Sequence, residues 1–461
     1  MRRIFAVQIL MIALVCLLTA CNKKDGSMPP ATVNRAPVIT IAPDMSGVVA
    51  KRLSVAADIR DADGDILTIT TQGLPASLSY VKDSMRIIGI PQISDTGTRA
   101  VSIVADDGKV KTAINFTLII FTNEKGQKQF LLGKRLQASF TSMTPSLPGV
   151  SLSVINEKNE VFSVATGTRV TGQTNMPLMP AHRFRIASAT KSMVAAIVLK
   201  LAEQGKLGLD KPVNQYINNP LPNASTITIR QLLNHTSGLY DHLNANNFWA
   251  NPINTASKVW SLDELISLGN AAGSLFTPGT RFAYSNTGYV VLGKVIEAVS
   301  GKPIAEAFND LLFQPIGLTN AFYDNSSAVP NLIPDLATNN RSYEYSPTAA
   351  GPAGAVVASA SDLAKFGRAV YGAHFLNNAS VAEMIKNYGQ PLGGQDYGLG
   401  TRLWNLNGII HHGHTGAFMD YRSILIFIPE KKMSIAIITH GTNANWFTLV
   451  DDLMLYAYEA L

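Results

Sequence analysis

The chain has 461 residues, 46% of them hydrophobic and 15% charged, with a formal net charge of +6 at pH 7. So apolar a composition excludes a disordered chain and provides for two or three domains at about 100–200 residues each. The lysines and arginines form no long basic run, which argues against nucleic acid as a partner.

Met1-Arg2-Arg3 precedes an apolar run from Ile4 to Ala20, the layout of a secretory signal peptide over residues 1–20. The run is shorter than the ~20 residues that a spanning helix needs. Leu18-Thr19-Ala20-Cys21 resembles the bacterial lipobox, which implies lipidation of Cys21 and attachment to a membrane through acyl chains. Asn22 after that cysteine suggests the outer membrane, so the expected location is the bacterial cell envelope. The only other cysteine, Cys16, falls inside the leader. The folded part is then expected to have no disulfide, no thiol nucleophile and no cysteine-bound metal. Residues 21–35 are polar, contain Pro29-Pro30 and read as a tether.

From 36 to 121 short alternating runs predict strands, among them Leu67-Thr68-Ile69-Thr70 and Val101-Ser102-Ile103-Val104. Turn signals at Asp63-Gly64, Asp95-Thr96-Gly97 and Asp107-Gly108 separate them, as in a small antiparallel β-sandwich. The run Asp61-Ala62-Asp63-Gly64-Asp65, with Gly73-Leu74-Pro75-Ala76 and Gly89-Ile90-Pro91, resembles cadherin-like or Ig-like modules of bacterial surface proteins. Asp61, Asp63 and Asp65 offer hard oxygens for calcium, but the spacing is not that of an EF-hand, and a solvated turn is the preferred reading.

Residues 122–134 hold two glycines and three lysines and read as a linker. Beyond it, 135–461 reads as one α+β domain. Strands are predicted at 149–154, 160–165, 409–415, 421–428 and 433–439. Helices are expected from Ser188 to about Gln204, at 228–234, 261–269, 286–299, 303–312, 361–371 and 379–387, and finally at 445–460. Strands at both ends around a helical middle predict an antiparallel sheet flanked by helices, built from the two termini, plus an all-α region.

Ser188-Ala189-Thr190-Lys191 places a hydroxyl and an amine three residues apart at a helix start, where they are neighbours at about 5–6 Å. A desolvated lysine can take the serine proton, and the helix N-terminus offers N–H groups to an oxyanion. Ser79-Tyr80-Val81-Lys82 has the same spacing in a predicted strand, where the two side chains point to opposite faces and cannot cooperate. Tyr284-Ser285-Asn286 supplies a phenol to carry a proton and a carboxamide to hold a substrate amide. His414-Thr415-Gly416, followed by Ala417, lies on a late strand, and its glycine permits close approach of another backbone.

These three motifs, in this order, resemble those of the penicillin-recognising serine hydrolases, above all class C β-lactamases and serine D-Ala-D-Ala carboxypeptidases. The likeness extends through Phe184-Arg185-Ile186-Ala187 and the stretch from Ile229 to Leu239, which contains His235-Thr236-Ser237-Gly238. Pro278-Gly279, Gly351-Pro352-Ala353-Gly354 and Ser361-Asp362-Leu363 add to it. The resemblance implies acylation of Ser188, proton transfer by Lys191 and Tyr284, and a substrate amide held by Asn286. Backbone N–H groups of Ser188 and Ala417 would form the oxyanion hole, and His414, Thr415 and Gly416 would line the substrate strand. The residues leave either Lys191 or Tyr284 as the base. His414 stands where β-lactamases of this class carry lysine, so a substrate carboxylate needs another cation. Gly398-Leu399-Gly400-Thr401-Arg402 resembles the carboxypeptidase stretch whose arginine does this, which makes Arg402 the candidate.

No cofactor is implied, and no metal: of His411, His412 and His414 only the last two share a strand face, with no acidic residue nearby to complete a set. The expected activity is that of a D-Ala-D-Ala carboxypeptidase on cell-wall peptides. The alternatives are an esterase or weak β-lactamase on the same scaffold, or a penicillin-binding or adhesion module without turnover. The partners expected are a small peptide, β-lactam or ester substrate and, through Cys21, a membrane.

Overall fold

The structure is a computed structural model. It describes residues 33–143, 147–170, 173–218, 221–250, 254–255, 257–325, 332, 346–388, 396–441 and 445–461. The leader, Cys21 and most of the tether lie outside these residues. Among the described residues no helix is long and apolar enough to cross a membrane. The chain divides into two compact units, Met1–Phe121 and Thr122–Leu461.

Among its described residues the first unit is all-β, with two four-stranded sheets. One is ordered Val38–Ile41, Leu53–Arg60, Arg86–Gly89, Leu78–Val81; the other Asp44–Val48, Lys111–Phe121, Gly97–Asp106, Thr68–Gln72. Alternate residues turn inward, so Val101, Ile103 and Ala105 share one core with Phe116, Leu118 and Ile120 and with Ala57 and Ile87 of the other sheet. The structure departs from a purely antiparallel sandwich at one pairing, since Asp44–Val48 runs parallel to Lys111–Phe121. The chain changes sheets at Pro43, whose carbonyl accepts the Thr117 N–H at 2.9 Å. Ser79 lies in a strand, and the Lys82 amine turns to the Leu67 carbonyl instead, at 3.2 Å. Asp61 Oδ1 accepts the N–H groups of Asp63 and Asp65, while Asp63 pairs with Arg35 and Asp65 with Lys109. These are the interactions of a turn.

The second unit begins with a correction to the linker expected at 122–134. Glu124–Thr141 is a helix, capped by Asn123, whose side chain accepts the Gly126 N–H. Its polar surface conceals an apolar stripe, Leu132, Leu136 and Phe140, spaced by one turn each and buried. The expected boundary at 134 cuts that stripe in two.

The stripe packs on a seven-stranded antiparallel sheet ordered Val161–Gly167, Gly149–Ile155, Met433–His440, Tyr421–Ile428, Ile409–Phe418, Arg402–Leu406, Asp396–Tyr397. The first strand hairpin and the last strand thus meet in mid-sheet. Along Tyr421–Ile428, Ile424, Ile426 and Ile428 face the core shared with Glu124–Thr141 and the final helix Trp446–Ala460. Leu425 and Phe427 face the opposite core, which contains the helices Thr190–Glu203, Asn286–Ser300 and Ala360–Tyr371. The sheet is buried on both faces, which is why these strands are nearly continuous in apolar residues rather than alternating.

Candidate active site

The helix Thr190–Glu203 is buried over most of its circumference and is preceded by a 3₁₀ turn, Ala187–Ala189, that holds Ser188 half-exposed. Ala187 takes φ of +50°, a left-handed conformation that costs a residue with a Cβ on the order of 1–2 kcal/mol. The turn is held by the Ile186 N–H on the Val356 carbonyl (3.0 Å) and by the Thr190 hydroxyl, which accepts the Val356 N–H (3.2 Å).

One helical turn on, Lys191 is fully buried, and its ammonium donates to three fixed acceptors. These are Ser188 Oγ at 3.2 Å, Asn286 Oδ1 at 2.7 Å and the Ala353 carbonyl at 2.8 Å. Burial pulls its pKa down to about 7, with Asp241 opposing that fall and Arg402 adding to it. The amine also lies 4.7 Å from the centre of the Tyr284 ring. Burial pushes the Tyr284 phenol well above its ordinary value, the neighbouring Ser188 hydroxyl pulling partway back.

Asn286 opens the helix Asn286–Ser300, which Ser285 caps by accepting the Gly288 N–H. Its carboxamide is fixed at both ends: the oxygen accepts from Lys191, and the nitrogen donates to Asp241 Oδ2 at 2.8 Å. Thr287 holds the Asp241 loop in place, donating to the Tyr240 carbonyl and accepting the His242 N–H.

On the strand Ile409–Phe418, His414 and Gly416 are buried, Thr415 is half-buried and Ala417 is exposed. A Cβ on Gly416 would collide with the Ile186 carbonyl oxygen and the Ser423 hydroxyl. Only glycine lets this strand lie against the turn that carries Ser188. The Ser423 hydroxyl donates to that same Ile186 carbonyl at 2.7 Å. His414 lies well below its ordinary pKa, first through burial and then through the charges of Arg402 and Lys191, so its imidazole is neutral. Arg402 stands opposite Gly413 on the neighbouring strand, and its charge also reaches His235.

Ser188, Lys191, Tyr284 and Asn286 therefore converge, with Thr415 to Ala417 along one side and Arg402 on the adjoining strand. Asp241, His235 and Tyr397 were not singled out by sequence reasoning. The histidine does stand within the Ile229–Leu239 stretch, and the tyrosine immediately precedes Gly398. The other two histidines take no part: His411 stacks on Trp404, and His412 lies between Tyr371 and Phe427.

A sheet covered on both faces by helices, with a serine and a buried lysine on one helical turn, defines a serine hydrolase of the β-lactamase fold. The chain belongs to the beta-lactamase family, whose model matches residues 136–454. It is 27% identical over 325 residues to "Penicillin-binding protein 4" of Amycolatopsis lactamdurans, covering 65% of this chain and 83% of that one. A shorter match, 34% over 158 residues, is to "Esterase EstB" of Burkholderia gladioli, covering 31% of this chain and 38% of the esterase. Among solved structures, the D-amino acid amidase from Ochrobactrum anthropi SV3 superposes with a TM-score of 0.63 at 25% identity. That superposition covers 72% of this chain and all of the amidase.

Proposed function

We propose that the chain cleaves an amide or ester bond through an acyl-enzyme on Ser188, most closely as a D-Ala-D-Ala carboxypeptidase acts on cell-wall peptides. The observation that carries this reading is the buried Lys191 amine, 3.2 Å from Ser188 Oγ and fixed by two further acceptors. Ser188 Oγ attacks the carbonyl carbon and its proton passes to Lys191. The phenol of Tyr284 gives a proton to the leaving nitrogen or oxygen and regains one from Lys191. Water then attacks the ester, and the same groups return the proton to Ser188. An amine titrating at about 7 suits the base, and a phenol held above its usual range suits the proton donor. The N–H groups of Ser188 and Ala417 are the oxyanion donors in this reading, and one such donor is typically worth ~3 kcal/mol. Asn286 holds the substrate amide, and Arg402 takes the terminal carboxylate that the neutral His414 cannot pair with.

The penicillin-binding relative supports the carboxypeptidase reading. The amidase neighbour and the esterase relative favour a second one, hydrolysis of a D-amino acid amide or a short ester at the same serine. For the whole chain we place the protein at the cell envelope, held by a lipidated Cys21; release from membranes on Cys21→Ser would support this, and retention would overturn it.

Mass spectrometry after incubation with penicillin, a D-Ala-D-Ala peptide and a short-chain ester tests the site. Penicillin is expected to add covalently to Ser188, and Ser188→Ala to lose the adduct while keeping its fold. An adduct that persists in Ser188→Ala would overturn the assignment.

A further inference from the structure

Behind the reacting groups lie three buried polar side chains, His235, Tyr397 and His414, linked in a row. The directions of their hydrogen bonds are fixed by the ends of the row. His414 Nδ1 is 2.6 Å from the Thr415 carbonyl, which can only accept, so Nδ1 carries the proton and Nε2 is bare. The Tyr397 hydroxyl, 2.9 Å from that Nε2, must therefore donate to it. Its oxygen is left to accept from His235 Nε2 at 3.2 Å, which puts the His235 proton on Nε2. The bare His235 Nδ1 then accepts the Ser285 N–H at 3.1 Å. Every member is satisfied, with each ring neutral and of opposite tautomer. A second proton on His414 would face the Tyr397 O–H and force that hydroxyl to turn away, towards Tyr289 or His235.

His235 also grips the other side of Tyr284. Its backbone carbonyl accepts the Ala283 N–H at 2.9 Å, and its ring lies over the Tyr284 ring, centroids 4.2 Å apart and 35° between planes. The left-handed φ of +60° at His235 accompanies this double contact, carbonyl to one flank and imidazole to the other.

We propose that His235 is a positioning residue, holding the backbone on both flanks of Tyr284 and, through Tyr397, tying that phenol to the His414-Thr415 strand. The consequence for the reaction rests on the acyl-enzyme reading above. The arrangement couples two motifs that are distant in sequence, so the phenol and the substrate strand keep one relative placement. The charged side chains acting on both imidazoles are Lys191 and Arg402, both cationic, and the rings that pack on His235 are Tyr284, Tyr289, Tyr397 and Phe282. These surroundings, with burial, keep both rings neutral, as the row requires.

Long-range ¹H–¹⁵N spectra of the imidazoles, recorded on the full chain at pH 6, are the direct test and need no turnover. His235 is expected as the Nε2–H tautomer and His414 as the Nδ1–H tautomer. A charged ring, or either tautomer reversed, would overturn the proposal, whereas a missing penicillin adduct would overturn only the acyl-enzyme reading. Tyr397→Phe removes the bridging hydroxyl and keeps the ring. It is expected to lower kcat for a neutral ester by roughly 10–100-fold with KM within about twofold, as misplacement of a reacting group does. His235→Asn retains an acceptor for the Ser285 N–H and should lose less than His235→Ala. Equal losses in these two, with unchanged kcat in Tyr397→Phe, would show that the row only fills the core.

Discussion

Asp241 Oδ2 accepts a hydrogen bond from Asn286 Nδ2, which turns the oxygen end of that carboxamide to the Lys191 amine. The same carboxylate is the negative charge that opposes the fall in the Lys191 pKa. Asp241→Asn removes the charge, so the amine should titrate lower still. If neutral Lys191 is the base, the acid limb of kcat/KM, rising through about pH 7 in the native protein, should move to lower pH by roughly one unit. A pH profile on a neutral ester measures this. A limb that stays put, or moves upward, would remove Lys191 from the role of base.

Stability should carry the same signature. An unfolded lysine titrates near 10.4, against about 7 for Lys191 in the fold. Between those values the unfolded chain binds a proton that the folded chain does not, so stability rises with pH there, by up to about 1.4 kcal/mol per unit. Lys191→Met has no such proton. Denaturant midpoints of both proteins at pH 7, 8 and 9 should diverge, the native protein gaining on the variant; parallel curves would mean that the amine is charged in the fold.

Gly416→Ala should disable the site from a distance of one backbone. The added methyl meets the Ile186 carbonyl and must push the strand or the serine turn aside. A displacement of about 1 Å can cost on the order of 10²-fold in rate, so acylation by penicillin should slow at least that much, with a lowered thermal midpoint. Gly133→Ala is the matched comparison. Its nearest neighbour would be Val164 at an ordinary 3.6 Å, and in a helix interior alanine should stabilise by up to about 1 kcal/mol. Normal acylation in Gly416→Ala would mean that the strand and the turn can separate freely.

What the sequence makes legible here is whatever depends on local spacing. Ser188 and Lys191 must be neighbours on a helical turn, whereas Ser79 lies in the strand Leu78–Val81 and Lys82 begins the 3₁₀ turn after it, its amine on the Leu67 carbonyl. Asp241 and Tyr397 carry no such mark, because their roles come from contacts 45 and 17 residues away along the chain. The helix Glu124–Thr141 is hidden in the sequence for a different reason. Its buried stripe is only three residues wide in a polar segment with two glycines, and the composition of 122–134 hides it. The parallel pairing of Asp44–Val48 was equally invisible, since a strand pattern fixes which face is buried but not its partner.

Arg402→Ala is the variant that would tell the two proposed substrate classes apart. If the arginine takes a terminal carboxylate, its charge matters only to substrates that have one. A charge-assisted hydrogen bond is worth about 1.5–3 kcal/mol, or roughly 10–150-fold in kcat/KM. Arg402→Ala should slow cleavage of a D-Ala-D-Ala peptide by that factor and leave a neutral ester nearly untouched. Equal losses on both would make the arginine structural, and no loss on either would favour the amidase or esterase reading.

The strand Met433–His440 lies between Gly149–Ile155 and Tyr421–Ile428, so the middle of the catalytic sheet is the last of it to be translated. Ser188 leaves the ribosome long before the strand that must join its surroundings, and the early hairpin has no inner neighbour until then. Such distant pairings fold slowly compared with local ones. A chain cut short by a premature stop, even one retaining every residue from Ser188 to Ala417, would lack the strand that joins the two halves of the sheet. Such a chain is expected to form no penicillin adduct at Ser188, since the serine turn would rest against a sheet left in two halves.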